Sequence, residues 1–320
     1  MKILVTGCAG FIGFHLCDLL LKKKNIIIYG VDNLNSYYSI EYKKKRLEIL
    51  KKNKRFVFKK IDLSNFKKLE IIFKKNKFDL VINLAAQAGV RYSITNPSEY
   101  VKSNINGFFN IIELSRIYKT KKIIYASSSS VYGEKKTFPL KEDMSLEPKN
   151  IYSLSKKNNE DMAKVYSTYY DMHFIGLRFF TIYGEWGRPD MLILKYIISK
   201  FKNKKFYLYN YGNHYRDFTY VGDAVKSIKL LMSKKLKNKH EVFNICSNNP
   251  VSLSRILKKL NDNFGSPKIF KRKKDKADVY KTHGSNNKIK KVLKIKNLTK
   301  FEDGIELVIS WIKNNSKLFK

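Results

Sequence analysis

Met1-Lys-Ile-Leu-Val-Thr6 runs straight into Gly7-Cys-Ala-Gly10-Phe-Ile-Gly13. A short apolar run of this kind reads as a buried strand, and Phe11 to Leu21 reads as an amphipathic helix. Between them, glycines at 7, 10 and 13 let the backbone turn tightly and approach a pyrophosphate at the positive end of the helix. The spacing is G-x-x-G-x-x-G rather than the commoner G-x-G-x-x-G. Its position after a strand and before a helix gives the pattern its weight.

A second apolar strand, Ile26–Val31, ends at Asp32. That carboxylate falls about 20 residues past the loop, where it can accept hydrogen bonds from an adenosine ribose diol. It would repel a 2′-phosphate, so NAD is expected over NADP, although Lys43–Arg46 add positive charge nearby. The competing reading of Asp32 is a turn residue at a strand end.

Working outward, further strands are expected at 56–60, 79–84, 121–126 and 173–179, separated by segments long enough for crossover helices. The fold class is therefore α/β, a Rossmann-type doubly wound parallel sheet with a smaller C-terminal substrate-binding lobe. Residues 1–179 are expected to form the dinucleotide-binding domain, with segments near 217–245 returning to it. Residues 180–320 would be mainly the substrate lobe, because glycines and prolines break the pattern after residue 180. Ligands in such folds bind beyond the carboxyl ends of the strands.

Tyr152 and Lys156 stand one helical turn apart, so a phenol and an ammonium can share one face. A free tyrosine, with a pKa of roughly 10, is a poor base at neutral pH. A fixed positive charge favours the phenolate, and a hydroxyl from the run Ser127–Ser130 can donate to it. A surface helix that merely contains Tyr and Lys is the plain alternative in a chain with 21 Tyr and 65 Lys plus Arg.

The 320 residues carry a formal net charge of +38. Such a charge raises a nucleic-acid partner as a possibility. The lysines are scattered rather than gathered in a stripe or tail, so no nucleic acid is expected, and AT-rich codon usage accounts for the Lys, Asn and Ile bias. No run approaches the roughly 18 apolar residues of a membrane span. The first residues show no signal-peptide pattern. Cys8, Cys17 and Cys246 form no disulfide framework, which points to a cytoplasmic protein. None of the five histidines is spaced for metal binding with another His or Cys, and no metal is expected.

From residue 1 to about 285 the chain resembles the extended short-chain dehydrogenase/reductase superfamily, in its nucleotide-sugar epimerase and dehydratase branch. The resemblance is carried by Thr6–Gly13, Asp62-Leu63, Asn83-Leu-Ala-Ala-Gln-Ala-Gly-Val-Arg91, Ser127-Ser-Ser-Ser-Val-Tyr-Gly133, Tyr152-Ser-Leu-Ser-Lys156, Leu177-Arg-Phe-Phe180 and Arg216-Asp-Phe-Thr-Tyr220. It implies an NAD site built from Gly7, Gly10, Phe11, Ile12, Gly13, Asp32, Asn33, Asp62, Leu63, Leu84, Ala85, Ala86, Gln87, Asn104, Tyr152 and Lys156. It implies a catalytic set of Tyr152 as base, Lys156 as the group that lowers the tyrosine pKa and holds the nicotinamide ribose, and Ser128. Counting back from Val131 selects Ser128, with Ser127 and Ser129 within error. A homodimer through helices near 99–117 and 152–171 is also implied.

Within this branch, dehydratases carry acidic residues before Val-Tyr-Gly, and uronate decarboxylases carry a glutamate directly before that valine. Here Ser129 and Ser130 stand in those places, which implies an epimerase working through a transient 4-keto sugar. Arg178–Met191, Asp32–Tyr38 and Ala88–Ser93 resemble the corresponding segments of UDP-glucuronate 4-epimerases. A uronate oxidised at C4 is a β-keto acid, and it must be pinned to avoid losing carbon dioxide. Arg188 can grip the carboxylate bidentately, with Thr181 and Ser129 adding hydrogen bonds. The alternative for Arg188 is a loop arginine paired with Glu185 or Asp190. Glu185 stands where relatives usually have proline. The resemblance also implies substrate contacts for Arg91, for Arg216 at the diphosphate with Asp217 as its structural partner, and for Asp278 at the nucleotide ribose. Lys276-Ala277 replace the Pro-Gly that usually precedes Asp278. Rival readings are an epimerase of a neutral UDP-hexose or N-acetylhexosamine, a UDP-glucuronate decarboxylase or dehydratase, and a non-catalytic NAD- or nucleic-acid-binding protein.

Overall fold

The computed structural model describes residues 1–275 and 278–319, which leaves Lys276, Ala277 and Lys320 outside the described residues. β1 (Lys2–Thr6), α1 (Phe11–Leu21), β2 (Ile27–Asp32), α2 (Ile40–Lys51), β3 (Phe56–Lys60), α3 (Phe66–Lys75) and β4 (Leu80–Asn83) alternate as the apolar pattern requires. Two single-turn helices, α4 (Tyr92–Thr95) and α5 (Pro97–Tyr100), lead through a π-helical segment, Val101–Asn106, into α6 (Gly107–Ile117). β5 (Lys122–Ser128), α7 (Ile151–Tyr169) and β6 (His173–Phe179) follow. Beyond them lie β7 (Thr181–Tyr183), α8 (Leu192–Phe201), β8 (Lys205–Tyr209), β9 (Tyr215–Tyr220), α9 (Val221–Ser233) and β10 (His240–Ile245). The chain ends with β11 (Pro250–Ser252), α10 (Leu253–Phe264), β12 (Lys268–Arg272), α11 (Asn287–Leu293) and α12 (Phe301–Asn314).

Seven strands form one parallel sheet in the order β10-β6-β5-β4-β1-β2-β3. A parallel sheet needs both faces covered, and its central strands are correspondingly apolar throughout. Ile3, Leu4, Val5, Leu80, Val81 and Ile82 are fully buried. On one face α1 and α9 pack Leu16, Leu20 and Ile228 against Ile3, Val5 and Ile82. On the other, α3, α6 and α7 pack Leu69, Phe108, Ile111 and Ala163 against Leu4, Val81 and Tyr125. The chain runs outward from β1 to β2 and β3, then returns to build the other half from β4. The crevice between the carboxyl ends of β1 and β4 is the topological switch point. There the Thr6 hydroxyl donates to Asn83 Oδ1 at 2.5 Å and accepts from the Ala85 N–H at 3.2 Å, fixing the two strand ends together.

A second layer of structure sits over this crevice. β11, β9 and β7 form a three-stranded sheet, and β12 pairs with β8. With α8, α10 and α12 they enclose a separate core of Tyr196, Phe206, Ile256, Ile309 and Phe319. Among the described residues, no helix is long and apolar enough to cross a membrane.

The expected strands at 26–31, 79–84 and 121–126 occupy 27–32, 80–83 and 122–128. The last shift matters, because β5 keeps its pairing with β6 through Ser127 and Ser128. The serine run therefore starts inside the sheet and turns away only at Ser129–Tyr132, a 3₁₀ turn.

Candidate active site

The glycine turn is a tight backbone crossing. Gly7 adopts φ +69°, and a Cβ on Gly13 would stand 2.1 Å from the Gly7 carbonyl oxygen, so α1 can approach β1 only without a side chain there. Gly10 caps α1 with no side-chain hydrogen bond, and no acidic residue lies in the first turn. Helix N-termini carry unsatisfied N–H groups and partial positive charge. Here Gly10, Phe11, Ile12 and Gly13 line a cavity of about 920 Å³. These residues fit a dinucleotide pyrophosphate.

At the end of β2, Asp32 lines the same cavity. One carboxylate oxygen accepts from the Leu34 N–H at 2.8 Å and the other from the Ala9 N–H at 3.2 Å. Asp32 is thus a turn residue and a cavity residue together. Burial raises its pKa, opposed by those two N–H groups, Lys43 and Arg46. Asn33 donates to Asp62 at 3.1 Å, and Asp62 also accepts from the Ser64 N–H and hydroxyl. Burial acts to raise the Asp62 pKa, but these donors outweigh it and hold it low. Leu63, Leu84, Ala85, Ala86 and Gln87 line the walls between. Asn104 does not reach the cavity. It is buried in the π-helical segment, where it accepts from the Gln87 N–H at 2.8 Å and donates to the Gln87 carbonyl and the Ser155 hydroxyl. It braces the wall by holding both the N–H and the carbonyl of Gln87.

Ser128, Tyr152 and Lys156 all line this cavity. α7 begins with a capping box, in which Asn150 accepts from the Ser153 N–H and the Ser153 hydroxyl accepts from the Asn150 N–H. That fixes the first turn, on which Tyr152 stands. Lys156 is 2% exposed and donates to the Ala126 carbonyl at 2.9 Å. Burial lowers its pKa to about 8. Burial raises the Tyr152 pKa, while the Ser128 hydroxyl and the Arg188 charge pull it back. Ser128 accepts from both the N–H and the hydroxyl of Ser130, at 3.2 and 2.9 Å, which leaves its own proton to donate outward. Ser127, by contrast, gives its proton to Glu160 at 2.5 Å. The Ser127 hydroxyl proton is thereby committed to Glu160.

Ser129, Thr181, Arg188 and Arg216 line the far part of the cavity with Arg91 and Asp278. Arg188 holds Asp190 in a two-pronged pair, with Nε at 3.0 Å from Oδ1 and NH2 at 2.5 Å from Oδ2. Tyr37 also donates to Asp190, at 3.1 Å. Glu185 instead accepts from the Tyr220 hydroxyl. Arg216 donates to the carbonyls of Tyr215, Val279 and Tyr280, and burial lowers its pKa to about 10. The expected Arg216–Asp217 partnership is not formed. Neighbouring residues of a strand face opposite ways, and Asp217 accepts from Ser247, Asn248 and Gly284 instead. Arg91 pairs with Asp278 and lies 3.7 Å above the centre of the Tyr209 ring.

Sequence reasoning missed the buried pair behind the serines. Arg178 meets Glu160 through Nε at 2.9 Å and NH2 at 2.8 Å. Its signal was a lone arginine in the apolar strand His173–Phe179, because charges buried in a sheet need partners. It also missed Arg46, which is fully buried.

A glycine turn at a switch point, opposite a Ser/Tyr/Lys set, defines a Rossmann-type dehydrogenase/reductase enzyme. The chain matches the model of the GDP-mannose 4,6 dehydratase family over residues 4–308 and belongs to that family, within the extended short-chain dehydrogenase/reductases. It is 40% identical over 330 residues to Protein CapI of Staphylococcus aureus, covering 97% of this chain and 98% of that protein. It is 37% identical over 324 residues to a UDP-glucuronate 4-epimerase of Thermodesulfobacterium geofontis, covering 99% and 98%. The crystal structure of UDP-glucuronic acid 4-epimerase from Bacillus cereus, in complex with UDP-glucuronic acid and NAD, superimposes with a TM-score of 0.91 at 31% identity, covering 98% of this chain and 99% of that one.

Proposed function

We propose that this protein is an NAD-dependent epimerase that inverts C4 of UDP-glucuronate to give UDP-galacturonate. The observation that carries the proposal is one cavity holding Ser128, Tyr152, Lys156 and Arg188, with serines at 129 and 130 where elimination would need an acid. The likeness to UDP-glucuronate 4-epimerases supports the substrate.

Bound NAD supplies the hydride acceptor and returns the hydride. Tyr152 takes the proton of the 4-hydroxyl as the hydride leaves C4, giving the 4-keto sugar. Ser128 donates to the same oxygen, and Lys156 keeps positive charge beside the phenolate. The keto sugar then presents its other face, accepts the hydride at C4 and takes the proton back from Tyr152. No redox equivalent is consumed. Throughout, Arg188 with Ser129 and Thr181 restrains the uronate carboxylate against decarboxylation. Gly7, Gly13, Asp32, Asp62 and the walls at Leu84–Gln87 form the NAD lobe, while Arg91, Arg216 and Asp278 serve the UDP moiety. Residues 1–179 with 217–245 act as the dinucleotide-binding unit and the remainder as the substrate lobe.

A cytoplasmic setting is supported by three buried, free cysteines. A homodimer through α6 and α7 is supported by the exposure of Phe109, Ile117, Leu154, Val165 and Tyr169 on those helices. Light scattering at twice the chain mass is the expected result.

The direct test follows purified protein with UDP-glucuronate by proton NMR, with and without added NAD. UDP-galacturonate without net NADH is expected. A UDP-pentose would replace this reading with a decarboxylase. Turnover of UDP-glucose or UDP-N-acetylglucosamine alone would keep the Tyr152 chemistry and overturn the substrate.

A further inference from the structure

Arg46, on α2, is 0% exposed. Buried guanidinium groups ordinarily face a carboxylate. Among the described residues, the acceptors of this one are all uncharged. NH1 donates to the Ala9 carbonyl and the Tyr38 hydroxyl, each at 2.9 Å. NH2 donates to the Gly187 carbonyl at 2.9 Å and to the Trp186 carbonyl. Among the described residues Nε has no hydrogen-bond partner, and the guanidinium lies 4.8 Å above the Tyr42 ring centre. A cation desolvated at this cost persists where its geometry is needed.

The acceptors come from three separate segments: the glycine turn at Ala9, the loop that follows Asp32, and the loop that carries Arg188. Two routes then lead from Arg46 to Arg188. Through the main chain, the Gly187 carbonyl belongs to the peptide bond that immediately precedes Arg188. Through side chains, Tyr38 adjoins Tyr37, whose hydroxyl donates to the Asp190 carboxylate that Arg188 holds. Trp186 adds an independent sign of constraint. It sits at φ +52°, in the left-handed region that bulky residues avoid. Such a conformation survives only where the surroundings over-determine it, and Arg46 fixes the two successive carbonyls of Trp186 and Gly187.

We infer that Arg46 is a positioning residue for Arg188, a buried cationic brace that ties the dinucleotide turn to the carboxylate-binding loop and so sets the preference for a uronate. The inference rests on Arg188 holding the substrate carboxylate. A fixed Arg188 is an advantage only for a ligand with that carboxylate, whereas a general stabilising role would affect every ligand alike.

The test measures calorimetric affinities of the full chain, loaded with NAD, for UDP-glucuronate and for UDP. A Tyr152→Phe background prevents turnover. Arg46→Met is expected to weaken UDP-glucuronate about 10- to 100-fold, the scale of a charge-assisted pair, while UDP changes less than about threefold. Equal weakening of both ligands, or of neither, overturns the brace. If Arg46→Met does not fold, Tyr38→Phe removes a single acceptor. It is expected to cost about 3- to 10-fold for UDP-glucuronate alone, and parental affinity would overturn the proposal. Arg188→Ala, measured alongside, separates the two ideas. Unchanged uronate affinity in Arg188→Ala sinks the carboxylate reading itself. Weakened affinity there, with none in the Arg46 or Tyr38 variants, sinks only the brace.

Discussion

Arg188 and Asp190 form a two-pronged ion pair inside the cavity, with Nε and NH2 on the two carboxylate oxygens. The pair leaves NH1 as the donor free of Asp190, and it keeps the guanidinium plane fixed. A uronate carboxylate at this site would be met by a planar, oriented donor rather than a mobile charge. Arg188→Lys should therefore fail almost as fully as Arg188→Ala. Both are expected to raise KM for UDP-glucuronate by about 10- to 100-fold. Steady-state kinetics by NMR check this, and wild-type KM in the lysine variant would remove planar recognition from the account.

The buried lysine sets the pH dependence. Lys156 falls to about 8 through burial, and Tyr152 is raised by burial. Of the two groups the lysine has the lower pKa, so the first proton is lost at a macroscopic pKa near its value. The one-proton state includes the ammonium–phenolate form that can act as base. In the ligand-free enzyme, kcat/KM should rise with pH through about 8 and hold until Tyr152 and Lys156 have lost both protons. A flat profile across that range in stopped-flow hydride transfer would contradict the pairing. Stability runs the same way. A lysine with a lowered folded pKa binds fewer protons folded than unfolded between about 8 and 10.5, so stability rises across that window and the penalty is fully present below it. Lys156→Met should lose at least about 100-fold in kcat. At pH 7 the same variant should gain on the order of 1–3 kcal/mol in urea unfolding.

Neighbouring serines carry different predictions. Ser128 lines the cavity and receives two hydrogen bonds from Ser130, which leaves its own proton to donate, whereas Ser127 serves Glu160. Ser128→Ala should lower kcat by about 10- to 100-fold with little change in melting temperature. Ser127→Ala should leave kcat within about threefold yet cost about 1–3 kcal/mol, because it strips a donor from a buried carboxylate. Paired kinetics and urea unfolding of the two variants decide it, and reversed behaviour would reassign the catalytic serine.

The α/β alternation was legible because parallel strands such as Ile3–Val5 must be apolar on both faces, and the glycine turn because close approach of α1 admits no Cβ at Gly13. Ser128 could be ranked but not isolated in sequence. Its role depends on β5 continuing through the serines, which is fixed by pairing with Arg178 and Phe179 on β6. Asp217 was misassigned because adjacency in a strand separates side chains rather than joining them. The bonds of Asn104 to Gln87 and Ser155 were not legible, since they depend on the π-helical segment that carries it. Apart from Tyr38 and Tyr42, which are close in sequence, the Arg46 partners lie 37 to 141 residues away, and no local pattern encodes them.

Beneath the serines, Arg178 and Glu160 join β6 to α7, and the same arginine donates to the Tyr132 hydroxyl at 2.9 Å and the Glu142 carbonyl at 3.1 Å. Tyr132 passes the connection to Asn244 on β10 at 2.7 Å. Breaking a buried pair from one side leaves the other charge without compensation. Arg178→Met alone should cost about 3–5 kcal/mol in urea unfolding. Adding Glu160→Gln removes the stranded charge, so the double variant should recover about half of that loss. The single variant should also lower kcat, because Glu160 lies one turn beyond Lys156 on α7 and a stranded charge there disturbs the helix that carries Tyr152 and Lys156. Additive losses in the double-mutant cycle would mean that the two residues act independently and that the network does not support the serine strand.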